Sequence, residues 1–327
     1  MRFLTLGVVV LRITPLLHQP QTKPTPLQVR HHLFSNGNGF IRDAWDGKTI
    51  VATNGGTEPL NGLGHLHGDL NSFILVHNQD RLLADPGHSC YRNLIHGLES
   101  SSQTHNTCTF LIEKESLDLQ EDMAKASFLE QKSVFPRRLI KNGIAGDKIL
   151  RGDKKLVCQK NDVVSVIGSE TAKAYGQPIE EFSRFWVLAG SHVLFIVDKI
   201  SANQPITTLW NWVVNNHDGQ TIWEKNAETL TIKRKKGGMK LFHGGAGAWS
   251  FPVHGFLHDA YHPEPNQLGE GHSGSSLVFR FTEKGSKNTR TVVHAIALDA
   301  PDLLENWQFV QQDNQFTLKS DTRKWTL

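Results

Sequence analysis

Turn dipeptides recur along this chain, and the segments between them are too short and too rich in β-branched residues for helices. Asn36-Gly37, Asn38-Gly39, Asp46-Gly47, Asn54-Gly55, Asn142-Gly143 and Asp218-Gly219 punctuate the sequence. Such pairs favour tight hairpin turns because Gly and Asn tolerate positive φ. Between turns lie β-rich runs at residues 50–53, 73–77, 163–168, 185–188, 192–200, 207–214, 228–233, 276–281 and 291–298. Runs of this length, bounded in this way, predict an all-β fold, an antiparallel β-sandwich. No β-α-β alternation is present, which argues against a doubly wound sheet. Helical turns are expected near residues 117–130, and residues 246–275, rich in Gly, Pro and His, read as a long loop.

The first residues differ in character. Residues 1–18 set an apolar run behind Arg2 and read either as a short secretory leader or as the remnant of an upstream domain. Pro20, Pro24 and Pro26 mark a linker. The expected organisation is therefore a leader or remnant plus linker over 1–33, and one sandwich domain over 34–327.

Composition removes several function classes. At 327 residues and 38% hydrophobic, the chain can bury a sizeable core. The 35 Lys and Arg nearly balance 32 Asp and Glu, leaving a net charge of +3 and no general attraction to nucleic acid. The basic run Lys233-Arg234-Lys235-Lys236 is expected on a solvated strand end. No apolar stretch approaches the ~20 residues of a transmembrane helix. Cys90, Cys108 and Cys158 are too few for a disulfide framework. Histidine is abundant instead, 17 residues with a cluster between 65 and 105.

That cluster carries the chemistry. In Gly64-His65-Leu66-His67-Gly68-Asp69 an extended backbone would turn His65, His67 and Asp69 to one face. Asp85 follows at the polar end of Leu82-Leu83-Ala84-Asp85-Pro86-Gly87, and His105 lies in Thr104-His105-Asn106-Thr107. Imidazoles and carboxylates from neighbouring segments are what a zinc-like ion requires; a single histidine is more often a surface or satisfied core residue than a ligand, and it is the grouping that points to a metal.

The same residues carry a family resemblance. Gly64–Phe73, Leu82–Gly87 with Tyr91 close behind, and Thr104–Thr107 together resemble the signature of the heparinase II/III-like family. The stretch from Asn36 to Asp46, and Phe182-Ser183-Arg184-Phe185-Trp186 running into Val197-Asp198, are similar to that family's C-terminal sandwich strands. The resemblance implies a polysaccharide lyase acting on uronic-acid glycans of the heparan sulfate, hyaluronan or alginate type, with a helical toroid joined to an antiparallel sandwich. It implies a structural metal, usually zinc, held by His67, Asp85 and His105. His65 would then be catalytic or substrate-positioning, Tyr91 a proton donor or sugar contact, and Asp69 a support for the metal ligands. Residues 1–33 leave no room for the toroid, so the expected partners are an acidic polysaccharide and a separate helical domain or second chain. The substrate class points to the cell envelope, the periplasm or secretion. Two other readings are a non-catalytic, metal-stabilised carbohydrate-binding or assembly domain, and part of a uronyl epimerase. Trp45, Trp186, Trp210 and Trp212 are candidates either for sugar stacking or for the core.

Overall fold

Strands form where side chains alternate between core and solvent. In β2 (Gly39–Arg42) every second residue is buried, Ile41 among them, while Phe40 and Arg42 stay partly exposed. A computed structural model describes residues 30–34, 37–55, 67–87, 100–112, 129–131, 157–160, 164–254, 276–285, 289–313 and 315–327. Around β2 lie β1 (His31–Leu33), β3 (Thr49–Asn54), β4 (Ser72–His77), β5 (Asp80–Leu83) and β6 (Cys108–Ile112). Next come β7 (Val157–Lys160), β8 (Val164–Glu170), β9 (Ile179–Ala189), β10 (Val193–Ala202) and β11 (Ile206–Val214). After them follow β12 (Ile222–Lys225), β13 (Thr229–Lys233), β14 (Gly238–His243), β15 (Ala248–Trp249), β16 (Val253–His254), β17 (Leu277–Gly285) and β18 (Thr289–Asp299). A terminal group comprises β19 (Gln308–Gln312), β20 (Gln315–Lys319) and β21 (Lys324–Thr326).

These strands make two large sheets and one small one. The order β1-β2-β3-β4-β5-β11-β17-β15, with β6 on β11 and β16 on β17, forms a sheet of 10 strands. A sheet of 8 runs β12-β13-β14-β18-β10-β9-β8-β7. Pairing is antiparallel throughout the described strands. The expected sandwich is therefore the observed fold. Between the two large sheets Ile41, Leu75, Phe182, Trp186, Ile196, Trp210, Trp212, Phe279 and Ile296 form the main core. The 3-stranded sheet β19-β20-β21 covers the other face of the 8-stranded sheet, where Val187, Phe195, Phe242 and Ala295 meet Trp307 and Leu318.

Several expectations need adjustment. The sheet already includes His31, ahead of Phe34. The 246–275 stretch carries β15 and β16 before residues 255–275, which lie outside the described region. Of the 117–130 stretch only Leu129 and Glu130 are described, and Leu129 forms a β-bridge with Phe110. The helices among the described residues are short: α1 (Ala172–Tyr175) and single turns at Ser102–Thr104 and Leu304–Asn306. None is long and apolar enough to cross a membrane. Trp186, Trp210 and Trp212 are core residues, at 0%, 0% and 1% exposure, so they offer no sugar-stacking face. Cys108 is a buried free thiol, while Cys90 and the Cys158 side chain lie outside the described region.

Candidate functional site

The site is built at one end of the 10-stranded sheet by three loops that meet. The first, residues 67–71, leads into β4. It is a turn rather than an extended strand: the Ser72 amide donates to the Asp69 carbonyl, and Asn71 adopts φ 58°. The alternation expected for His65, His67 and Asp69 thus does not extend through it. The second loop, residues 84–87, leaves β5. The Gly87 amide donates to Asp85 Oδ1 at 2.9 Å, which fixes that carboxylate in the turn. The third, residues 100–107, contains the single turn at Ser102–Thr104 and enters β6.

His105 stands at the meeting point. Its Nε2 lies 3.4 Å from Asp85 Oδ2 and 3.3 Å from His67 Nδ1. The structure therefore places Asp85 and His67 each within 3.4 Å of His105. His65 and Tyr91 lie outside the described residues.

Protonation at His105 is set by its other nitrogen. Nδ1 is 2.8 Å from the Ser101 carbonyl, which can only accept, so Nδ1 carries the proton. With Nδ1 committed as a donor, Nε2 faces both the Asp85 carboxylate and His67 Nδ1. Among the described residues no set of three such side chains closes into a complete metal cage; the contacts run pairwise through His105. The two separations from His105, 3.4 and 3.3 Å, are each near that between two ligands of one metal. Two ligands bound at ~2.0–2.1 Å on a tetrahedral zinc stand about 3.3 Å apart. The donor set of two imidazoles and a carboxylate suits zinc, and a carbonyl on the far nitrogen is the usual way a ligating imidazole is oriented. His105 is fully buried whereas the Asp85 side chain is 48% exposed, so the cluster opens to solvent on the Asp85 side.

The loops are held by a buried polar network that the sequence reading did not single out. Arg184 on β9 is buried between the sheets, with Nε and Nη2 each donating to Asp198 at 2.7 Å. Its remaining arm, Nη1, donates to the Asn71 carbonyl at 2.9 Å and the Asn106 carbonyl at 2.8 Å. One guanidinium thus clamps the loop bearing His67 to the loop bearing His105. Asn106 continues the lattice: its amide donates to the carbonyls of Phe73 and Ala84, both at 2.8 Å, and its Oδ1 accepts from the Val213 amide. Ala84 precedes Asp85, so all three candidate ligands are fixed through neighbouring backbone. Gln131 adds a bond at each end of Leu70, and Thr107 Oγ1 donates to the Leu70 carbonyl.

Electrostatics keep this network ionised. Burial works against charge on Asp198, but the Arg184 guanidinium outweighs it and holds the carboxyl well below the usual range. Burial opposes the Arg184 charge too, and Asp198 more than restores it. Trp210 Nε1 donates to Asp198 Oδ2 at 2.8 Å, and His294 Nε2 stands 3.4 Å from the same oxygen. Burial pushes the His294 imidazole down despite that carboxylate, and burial together with His294 pushes His243 down, so both are neutral at pH 7. The signal for Arg184 was present in the sequence. It falls on the same strand face as Phe182 and Trp186, and a charge on an inward face requires a buried partner.

Residues 29–292 match a family model described as heparinase II/III-like, C-terminal. A heparan sulfate lyase from Pedobacter heparinus superimposes with a TM-score of 0.63 at 11% identity, covering 91% of this chain and 42% of that one. A heparinase III structure gives a TM-score of 0.61 at 14% identity over the same shares, 91% and 42%. At such identities the likeness is one of fold. This chain spans 42% of the length of these solved relatives. The sequence has no significant match among curated proteins.

Proposed function

The chain belongs to the heparinase II/III-like, C-terminal family, and from that premise we propose that it is the sandwich part of a lyase cleaving uronic-acid glycans by β-elimination. The observation that carries the proposal is the meeting of His67, Asp85 and His105 at the junction of three clamped loops. These residues would hold one structural zinc, which when bound supplies a cross-link between the loops. His67 and His105 would be its nitrogen donors and Asp85 its oxygen donor.

In β-elimination the C5–H bond of a uronate breaks and its proton passes to a base. The C4–O4 bond then breaks, its electron pair leaves on O4, and O4 takes a proton from an acid. A C4–C5 double bond results. The C5 proton is weakly acidic, so hydrogen-bond donors or cations must stabilise the developing charge on the adjacent carboxylate. His65, two positions before His67 in the sequence, would serve as base or carboxylate contact, since an imidazole titrates near neutrality. Tyr91 would donate the proton to O4 or contact the sugar. The helical domain of the full-length relatives would supply the opposite wall, and an acidic glycan substrate places the protein outside the cytoplasm.

Turnover of heparan sulfate, hyaluronan and alginate tests this, read as absorbance of the new double bond, with a heparinase helical domain supplied to the chain. The expected result is absorbance that His65→Ala abolishes without loss of folding. Inversion at C5 without absorbance would instead mark an epimerase. Binding of these glycans with neither reaction, even with the helical domain present, would favour the non-catalytic carbohydrate-binding reading.

A further inference from the structure

Away from the His67–Asp85–His105 cluster, the outer face of the β1–β2 hairpin joins aromatic rings to a guanidinium in one row. His32 and Phe40 are partners in register, while Gly39 and Ile41 turn to the core. The Phe34 ring meets His32 edge-on at 4.5 Å and Phe40 at 6.3 Å. Arg42 continues the row, its Cζ 4.9 Å from the Phe40 ring and 4.1 Å above the Trp45 ring. Phe34 is 47% exposed and Trp45 46% exposed, although both are large apolar residues. The turn presenting Trp45 is fixed. Arg42 Nη1 donates to the Trp45 carbonyl, and Asp43 accepts from the amides of Lys48 and Thr49. The row is therefore presented on a rigid edge, and a contiguous exposed aromatic patch of this kind marks a binding surface.

One end of the row is linked through two backbone hydrogen bonds to the loop bearing His67. Gly37, in the turn after Phe34, accepts from the Gly55 amide, and the Asn54 carbonyl beside it accepts from Asn71 in the loop bearing His67. From there β2 carries the row toward Trp45 for about 13 Å at ~3.3 Å per residue, longer than one sugar ring. Flat aromatic faces offer an apolar surface to the C–H faces of sugars, and a planar guanidinium pairs bidentately with carboxylate or sulfate.

We propose that Phe34, His32, Phe40, Arg42 and Trp45 form a subsite for a run of anionic sugar residues extending from the catalytic end; its ligand class rests on the lyase reading. The test is calorimetric titration of the full chain with a heparan sulfate hexasaccharide, an alginate hexasaccharide and neutral cellohexaose. An affinity shared by both acidic chains assigns Arg42 to carboxylate, and a preference for heparan sulfate assigns it to sulfate. Trp45→Ala and Arg42→Gln are each expected to weaken acidic-chain binding about tenfold, equal to about 1.4 kcal/mol. Arg42→Lys should fall between, because it keeps charge but not the fork. Melting temperatures should move little, since Trp45 is largely exposed and the partly exposed Arg42 gives up a long hydrogen bond to the Trp45 carbonyl. Equal affinity in the wild type and the variants overturns the subsite while leaving the lyase reading intact. Equally tight cellohexaose, or no acidic-chain binding by the wild type, also overturns it. Loss of binding in the variants, together with failed turnover by the complemented chain, would sink the lyase reading and keep the subsite.

Discussion

Arg184 shows how much one buried charge can organise. Its guanidinium is balanced by Asp198 and spends its remaining donors on two loop carbonyls. Arg184→Ala removes the clamp and leaves the Asp198 carboxylate unpaired in the core. Breaking such a pair costs about 3–5 kcal/mol, to be read from the urea midpoint, and a loss below about 1 kcal/mol would contradict the clamp. His77 gives a second prediction. Burial, assisted by neighbouring His192, lowers its imidazole to about 4. The unfolded chain, with an imidazole near 6.5, gains a proton as pH falls below about 6.5 while folded His77 stays neutral until about 4. Stability from this group is therefore complete above about pH 6.5 and declines by roughly 3 kcal/mol on acidification to about pH 4. Buried His243 and His294 push in the same direction. Unfolding free energies measured across this range should fall with acid, and His77→Gln should remove up to one proton from the slope. An unchanged slope in that variant would refute the assignment. At this scale the sequence was partly legible. His65, His67, Asp69, Asp85 and His105 stand out as a group of imidazoles and carboxylates, and only the family resemblance selects His67, Asp85 and His105 among them; the roles of Arg184 and Asn106 are hidden because they act on backbone carbonyls distant in sequence.

Elements were readable wherever alternation was clean. β10 and β18 fall where β-branched runs lie between turn residues, and their pairing from Val193–Ala297 to Ser201–Thr289 buries one face in each core cluster. β9 extends further than its apolar signal, since its first half contains Glu180, Glu181 and Arg184; Glu181 and Arg184 pair in register with β10, and Glu180 falls at a bulge. Residues 67–71 form a turn although their polar residues keep a period of two, because that spacing survives in a turn. The three loops suggest a prediction of their own. A zinc held by His67, Asp85 and His105 would cross-link segments that are otherwise fixed only by the hydrogen-bond network. Chelation should then raise amide hydrogen exchange in residues 67–71 and 100–107 while leaving β10 and β18 protected. Equal exchange with and without chelator would remove the metal from the account.

For the whole molecule, two sheets, a covering 3-stranded sheet and family membership describe one architecture. The fold class was visible in the turn spacing because antiparallel connections are short and local. The position of the 3-stranded sheet was not, since its strands bury only part of their length and carry the polar pattern of an exposed surface. Docking of that sheet depends on Trp307, whose indole donates to Asp299 while its rings fill the second core. Trp307→Ala should cost about 3–5 kcal/mol, measured by urea unfolding, with near-normal stability as the contrary result. The proposed metal node on His105 is read out by elemental analysis of the full chain, purified without chelator, beside His105→Ala. The account expects one zinc per wild-type chain and none in the variant, with the variant still folded. A metal-free wild type, or a variant that keeps its zinc, would contradict it.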